Sequence, residues 1–111
     1  MFSIIPNPTF DTDVRITRPG EAEPGTITFT FKHLGNRECK GWVARAADDH
    51  TNDASWLAEV ITGWAGPANA AGTAVAYSVE ALNQVLNAFP AAGSEIYLAY
   101  LRARLESRAK N

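Results

Sequence analysis

Few side chains in this sequence are of the types that bind metals or attack substrates, and their neighbours decide what each can do. A metal centre needs several His, Cys or carboxylate ligands at workable spacing. The candidates are His33, His50, Cys39 and a handful of carboxylates. His33 falls at the end of an expected strand. His50 lies in the run Asp48-Asp49-His50-Thr51-Asn52-Asp53, which with Asp53 can hold a cation weakly but reads better as a solvated turn between helices. Cys39 sits on the apolar arc of an expected helix, so it reads as a buried structural thiol rather than a nucleophile. Paired carboxylates occur at Asp11 and Asp13, but beside Pro8 and Thr9 they read as loop solvation. No Gly-x-Ser-x-Gly elbow, phosphate-cradling glycine loop or zinc-ligand spacing is present. The inventory yields no catalytic, cofactor-binding or metal residue, and the expectation is a binding protein, not an enzyme.

The tryptophans carry more information. Trp is enriched both at interface hot spots and in small cores. Trp56 is assigned to the core, while Trp42 and Trp64 stay open between core and partner contact. The chain's basic cluster, Arg102, Arg104, Arg108 and Lys110 against Glu106, suits the negative end of a helix dipole. A dedicated nucleic-acid binder would show an excess of Lys and Arg, whereas this chain has a net charge of -2.

The elements that must position these residues fall into two grammars. Thr26-Ile27-Thr28-Phe29-Thr30-Phe31 alternates strictly, with Ile27, Phe29 and Phe31 on one face, the signature of a half-buried strand. Val14 to Arg18 also alternates, and the turn residues of Pro19 to Gly25 between them predict an antiparallel hairpin with a mobile, acidic tip. Phe2 to Ile5 is a candidate third strand, ended by Pro6 and Pro8. After Gly35 the period becomes 3.6. Cys39, Trp42, Val43 and Ala46 define a first helix over 37–47. Trp56, Leu57, Val60, Ile61 and Trp64 define a second, stopped between Gly63 and Pro67. The Ala- and Gly-rich residues 65–77 predict a flexible linker. Ser78 is the expected N-cap of a third helix burying Val79, Leu82, Val85, Leu86 and Phe89, and Pro90 is expected to open the fourth at its first position.

The fourth helix carries Ile96, Tyr97, Leu98, Tyr100, Leu101 and Leu105, an apolar arc wider than one packing partner needs. A second partner, most simply another copy of the chain, is the expectation. The strand with Ile27 and Phe29 is expected to offer a sheet edge to a neighbour. The candidate partner or self-association contacts are therefore Trp42, Trp64, Tyr97, Tyr100, Leu101, Ile27 and Phe29.

The chain has 111 residues, 46% hydrophobic and 20% charged, which predicts one folded α+β domain over 1–111. Its β part is 1–34 and its helical part, a bundle of about four helices, is 36–111. No run approaches the roughly 20 apolar residues that cross a bilayer. Met1 to Pro6 lacks the basic start of a signal peptide, and a lone cysteine fits a reducing compartment, so a cytoplasmic protein is expected.

Three segments together resemble the tail assembly chaperone family of long-tailed, siphovirus-type bacteriophages and prophages. They are Met1 to Phe10 followed by Gly25 to His33; Val60-Ile61-Thr62-Gly63-Trp64-Ala65-Gly66; and Ser78-Val79-Glu80-Ala81-Leu82 with Asn87-Ala88-Phe89-Pro90, Ala99-Tyr100-Leu101 and the closing Arg108-Ala109-Lys110-Asn111. Their succession spans nearly the whole chain, although the Ala/Gly stretch between Gly66 and Ser78 is longer than the family pattern. The resemblance implies a protein of the host cytoplasm, absent from the mature virion, with no catalytic residues and no cofactor. It implies binding to the tape measure protein, which is kept soluble, and recruitment of the major tail tube protein for polymerisation around it. Two other readings remain beside it: a structural tail or head–tail connector component, and a small nucleic-acid-binding regulator.

Overall fold

The strict alternation of the hairpin segments builds a sheet with one apolar and one polar face. The computed structural model describes residues 1–46 and 50–106, and its element order is α+β. Strand β1 is Thr9–Ile16 and β2 is Gly25–Lys32, followed by α1 Asn36–Ala44, a 3-10 turn His50–Asn52, α2 Ala54–Leu57, β3 Ile61–Ala65, α3 Val79–Ala88 and α4 Ala92–Ala103. The expectations placed on Asp48, Asp49, the His50 side chain, Arg108 and Lys110 fall outside the described residues.

The sheet is antiparallel in the order β1-β2-β3. β1 runs longer than its alternation suggested, because Phe10 opposes Phe31 and Thr12 opposes Phe29 in register. That register turns Val14, Ile16, Ile27, Phe29 and Phe31 inward. It turns Asp11 and Asp13 outward, opposite Thr30 and Thr28. The two carboxylates are thus strand residues and not loop solvation: each accepts a hydrogen bond from its cross-strand threonine, at 2.7 and 2.6 Å. Arg18 closes the hairpin tip through its guanidinium to the Glu23 carbonyl, at 3.1 and 3.3 Å.

Three expectations are corrected here. β2 is the central strand, paired with β1 on one side and, from Thr28 to Phe31, with β3 on the other, so Phe29 offers no free edge, and the Ile27 side chain is buried in the core. Phe2 to Ile5 is not the third strand; β3 is. And the second helix is only four residues long, capped by Asp53, whose carboxylate accepts from the Ser55 and Trp56 backbone N–H groups. The apolar spacing through Trp64 suits a helix, but Val60, Ile61 and Thr62 are β-branched and Gly63 weakens a helix interior. The open edge of β2 supplies the alternative, and Ile61 to Ala65 takes it, with an irregularity in pairing at Thr30/Phe31.

The helices cover the inner face. Ser78 caps α3 as expected, accepting from Ala81 N–H at 3.0 Å. Pro90 lies in the turn before Ala91, the N-cap of α4, and not at the first helical position. Val79 is exposed, and Val85 and Phe89 are only partly buried, so the buried face of α3 is Ala81, Leu82 and Leu86. α4 packs on β1 with Ile96 and Tyr100 fully buried. The α3–α4 turn can approach the 3-10 turn so closely only because residue 93 is glycine: a Cβ there would fall inside van der Waals contact with the Thr51 carbonyl oxygen. The Ala/Gly segment after β3 carries a closed turn, in which the Asn69 carboxamide accepts from Ala71 and Thr73 N–H and Ala68 bridges Ala74.

Candidate functional site

The sequence-derived contacts separate into two groups by burial. Trp42, Tyr100, Ile27 and Phe29 are core residues, exposed by 2%, 0%, 8% and 0%. Trp64, Tyr97 and Leu101 are partly buried and reach the surface.

An aromatic cluster holds the first group. The Trp42 and Trp56 rings stack with centroids 4.0 Å apart and 5° between planes. Each indole N–H donates to the other residue's carbonyl oxygen at 3.0 Å. Tyr97 tilts against both rings, and Tyr100 stands edge-on to Trp42. The Tyr100 hydroxyl donates to the Lys32 carbonyl at 3.0 Å, tying α4 to the end of β2. Burial pushes this phenol up to about 12, the leading cause being the loss of solvent around the charged form. Arg104, placed by the sequence at the negative end of the helix dipole, donates to the Leu34 carbonyl at 3.1 and 3.3 Å and to the Asn36 side chain at 3.1 Å. It clamps the β2–α1 loop from the end of α4. On the surface, Arg45 and Glu59 form a two-pronged ion pair at 2.6 and 2.9 Å; the hydrogen bond lowers the Glu59 carboxyl and raises the Arg45 guanidinium.

Besides Val79, three stretches of apolar surface stand out among the described residues. On α4, Leu98 is 55% exposed and Leu105, in the turn that continues the helix, is 80% exposed, with Leu101 between them. At about 100° per residue, Leu98 and Leu105 stand on the side of α4 opposite Ile96 and Tyr100. The wide arc predicted for this helix is thus two faces, one on the core and one on solvent. The second place is a groove between α3 and the turn after β3, made of two adjoining cavities of about 190 and 280 Å3 that share Pro67, Ala68, Val85 and Phe89. Trp64 lines one of them, with its indole N–H held by the Val75 carbonyl at 2.8 Å. The third is the N-terminal arm, where Phe2, Ile4 and Ile5 are all at least 80% exposed. Sequence reasoning missed the arm and the groove. The arm's only signal was apolar residues followed by two prolines, and the groove joins segments far apart in the chain.

Among the described residues, no group of three or more His, Cys, Asp and Glu gathers to hold a metal ion, and no helix is long and apolar enough to cross a membrane. The described surface does carry exposed apolar side chains on α4 and the N-terminal arm. The sequence model of the phage tail assembly chaperones matches residues 1–111, the whole chain. The protein belongs to that family, which gives it a chaperone role in tail assembly through contact with tail proteins. No curated protein and no solved structure matches the chain.

Proposed function

We propose that this chaperone binds the tape measure protein through the exposed face of α4, keeps it soluble, and brings major tail tube subunits to it for polymerisation. The observation that carries the reading is the Leu98–Leu101–Leu105 stripe, an apolar helix face at i, i+3 and i+7 whose ends, Leu98 and Leu105, are exposed and whose middle, Leu101, is half-buried against the core. Such spacing is how one helix presents anchors to another. A long helical client exposes repeated apolar faces, and a chaperone that meets them needs a stripe, not an enclosed pocket. Tyr97 flanks the stripe and is anchored from behind by Trp42 and Trp56, so it adds a rigid aromatic at low entropic cost. Trp42, Tyr100, Ile27 and Phe29 support this face from the core and do not touch the client. The protein acts without turnover, in the host cytoplasm, and leaves before the virion is complete.

Co-expression with its tape measure protein tests this. The tape measure protein is expected in the soluble fraction with the chaperone and in the pellet without it. The complex should persist in moderate salt, because apolar burial drives it and a net charge of -2 steers little. Purified particles should lack the chaperone; its presence there at fixed stoichiometry would favour a structural tail component.

A further inference from the structure

A second groove runs along α3, walled on its other side by the 3-10 turn and the start of α2. It consists of two adjoining cavities of about 560 and 330 Å3 that share Asn52 and Asn83. Its lining reaches from Val79, the first residue of α3, to Pro90, just past the helix end. Ala54 and Leu86 belong to that lining and are both buried, which gives the groove an apolar floor. Its rim is carboxamide: Asn83 and Asn87 on α3, with Asn52 across from them, all three exposed.

The two asparagines on α3 give the fold nothing that a better helix former would not. Asn is a poor residue for a helix interior. Neither is a cap of α3, which is closed by Ser78 at one end and Phe89 at the other. Among the described residues, neither carboxamide makes a hydrogen bond within the chain, so each presents its donors and its acceptor to the groove. One helical turn apart, they share a face and stand about 6 Å apart along the axis. In an extended peptide the N–H and C=O of one residue point to the same edge, and those of the next residue but one repeat about 6.6 Å further on. The two carboxamides match that repeat, each able to take one N–H and one C=O. α3 has 10 residues and is about 15 Å long, the span of about five extended residues. The charged side chains in the described lining, Asp53 and Glu80, are both acidic, and no Lys or Arg is among them.

We propose that this groove binds an extended peptide segment of a partner protein, held by its backbone on Asn83 and Asn87 and carrying a Lys or Arg beside Glu80 and Asp53. The acidic end turns away acidic segments, while the backbone contacts leave the other side chains unrestricted. The site leaves the Leu98–Leu101–Leu105 stripe uncovered and does not depend on what that stripe binds.

The probe is the acetylated, amidated peptide Thr-Lys-Thr-Ala-Thr-Lys-Thr, which offers a lysine to the acidic end in either direction. It is titrated into the nitrogen-15-labelled full chain and followed by NMR through the side-chain amide signals of the asparagines. Saturable shifts are expected at Asn83 and Asn87, with a Kd below about 1 mM. Methylating the backbone nitrogens of the peptide's central residues, or replacing both lysines by Glu, should weaken binding by at least about tenfold. Asn83→Ala with Asn87→Ala should do the same; both positions are exposed and alanine is the better helix former, so the fold persists. Leu98→Glu with Leu105→Glu should leave peptide binding unchanged, which separates this site from the α4 stripe. The absence of any shift at about 5 mM peptide overturns the proposal. Equal binding by the methylated peptide or by the N83A/N87A protein overturns it as well, as do shifts confined to α4.

Discussion

Trp42 and Trp56 hold each other twice over: each indole donates to the other's backbone carbonyl at 3.0 Å, and the rings between those bonds lie 4.0 Å apart and 5° from parallel. The pair joins α1 to α2 across a short polar connection. It also forms the wall on which Tyr97 and Tyr100 of α4 rest. Buried Trp N–H groups need partners, and here the stacking geometry and the partners are supplied by the same two residues.

Trp42→Phe removes one donor and leaves the Trp56 carbonyl buried without it, while trimming the stack. A loss of about 2–3 kcal/mol of unfolding free energy is expected from urea titration. Trp56→Phe should cost a similar amount. The double variant should fall short of the sum by at least about 0.5 kcal/mol, because each single change already breaks the shared arrangement.

Thr12 is 4% exposed on the inward face of β1, and its hydroxyl has no hydrogen-bond partner among the described residues. Burying an unmatched hydroxyl is unfavourable. Thr12→Val, which keeps the β-branched shape, is expected to stabilise the fold by about 1 kcal/mol, read as a higher denaturation midpoint with an unchanged slope.

Gly93 reverses an ordinary rule. Gly→Ala inside a helix usually stabilises by about 1 kcal/mol. At residue 93 the added methyl meets the Thr51 carbonyl, and α4 must shift from the 3-10 turn. Gly93→Ala should therefore destabilise, by about 1–3 kcal/mol, in thermal or chemical unfolding.

Alkaline pH should unfold the protein through its buried phenols. Tyr100 titrates at about 12 in the folded chain against about 10 unfolded, and burial also raises Tyr77. The folded state thus holds its proton where the unfolded state has released it, so stability falls as pH rises from about 10 to 12. For Tyr100 alone the full effect is about 2–3 kcal/mol. Unfolding measured at pH 8 and pH 11 should show the loss, and Tyr100→Phe should flatten most of it.

What could be read from the sequence was what local chemistry decides. Strict alternation located β2 and its inward face, Ser78 marked the start of α3, and the breadth of apolar residues on α4 foretold its second face. Residues 61–65 could not be read because their apolar spacing satisfies a helix as well as a strand; the choice was made by the unpaired edge of β2, thirty residues away. Trp42 stayed ambiguous for the same kind of reason, since its burial depends on Trp56 and α4 arriving above it. Asp11 and Asp13 were misplaced because the prolines before them suggested a loop, while the register with Thr30 and Thr28 is set by the opposite strand.

The central claim is that the outer face of α4 binds the client, and affinity for the tape measure protein tests it most directly. Leu98→Glu with Leu105→Glu keeps helix propensity and alters only exposed residues, so folding should be unchanged by circular dichroism. Binding should weaken by about tenfold to a hundredfold, the loss of two apolar anchors. Arg102→Ala on the same helix, also exposed, should change it by less than about fivefold. A folded L98E/L105E protein that binds the tape measure protein as tightly as the wild type would contradict the account.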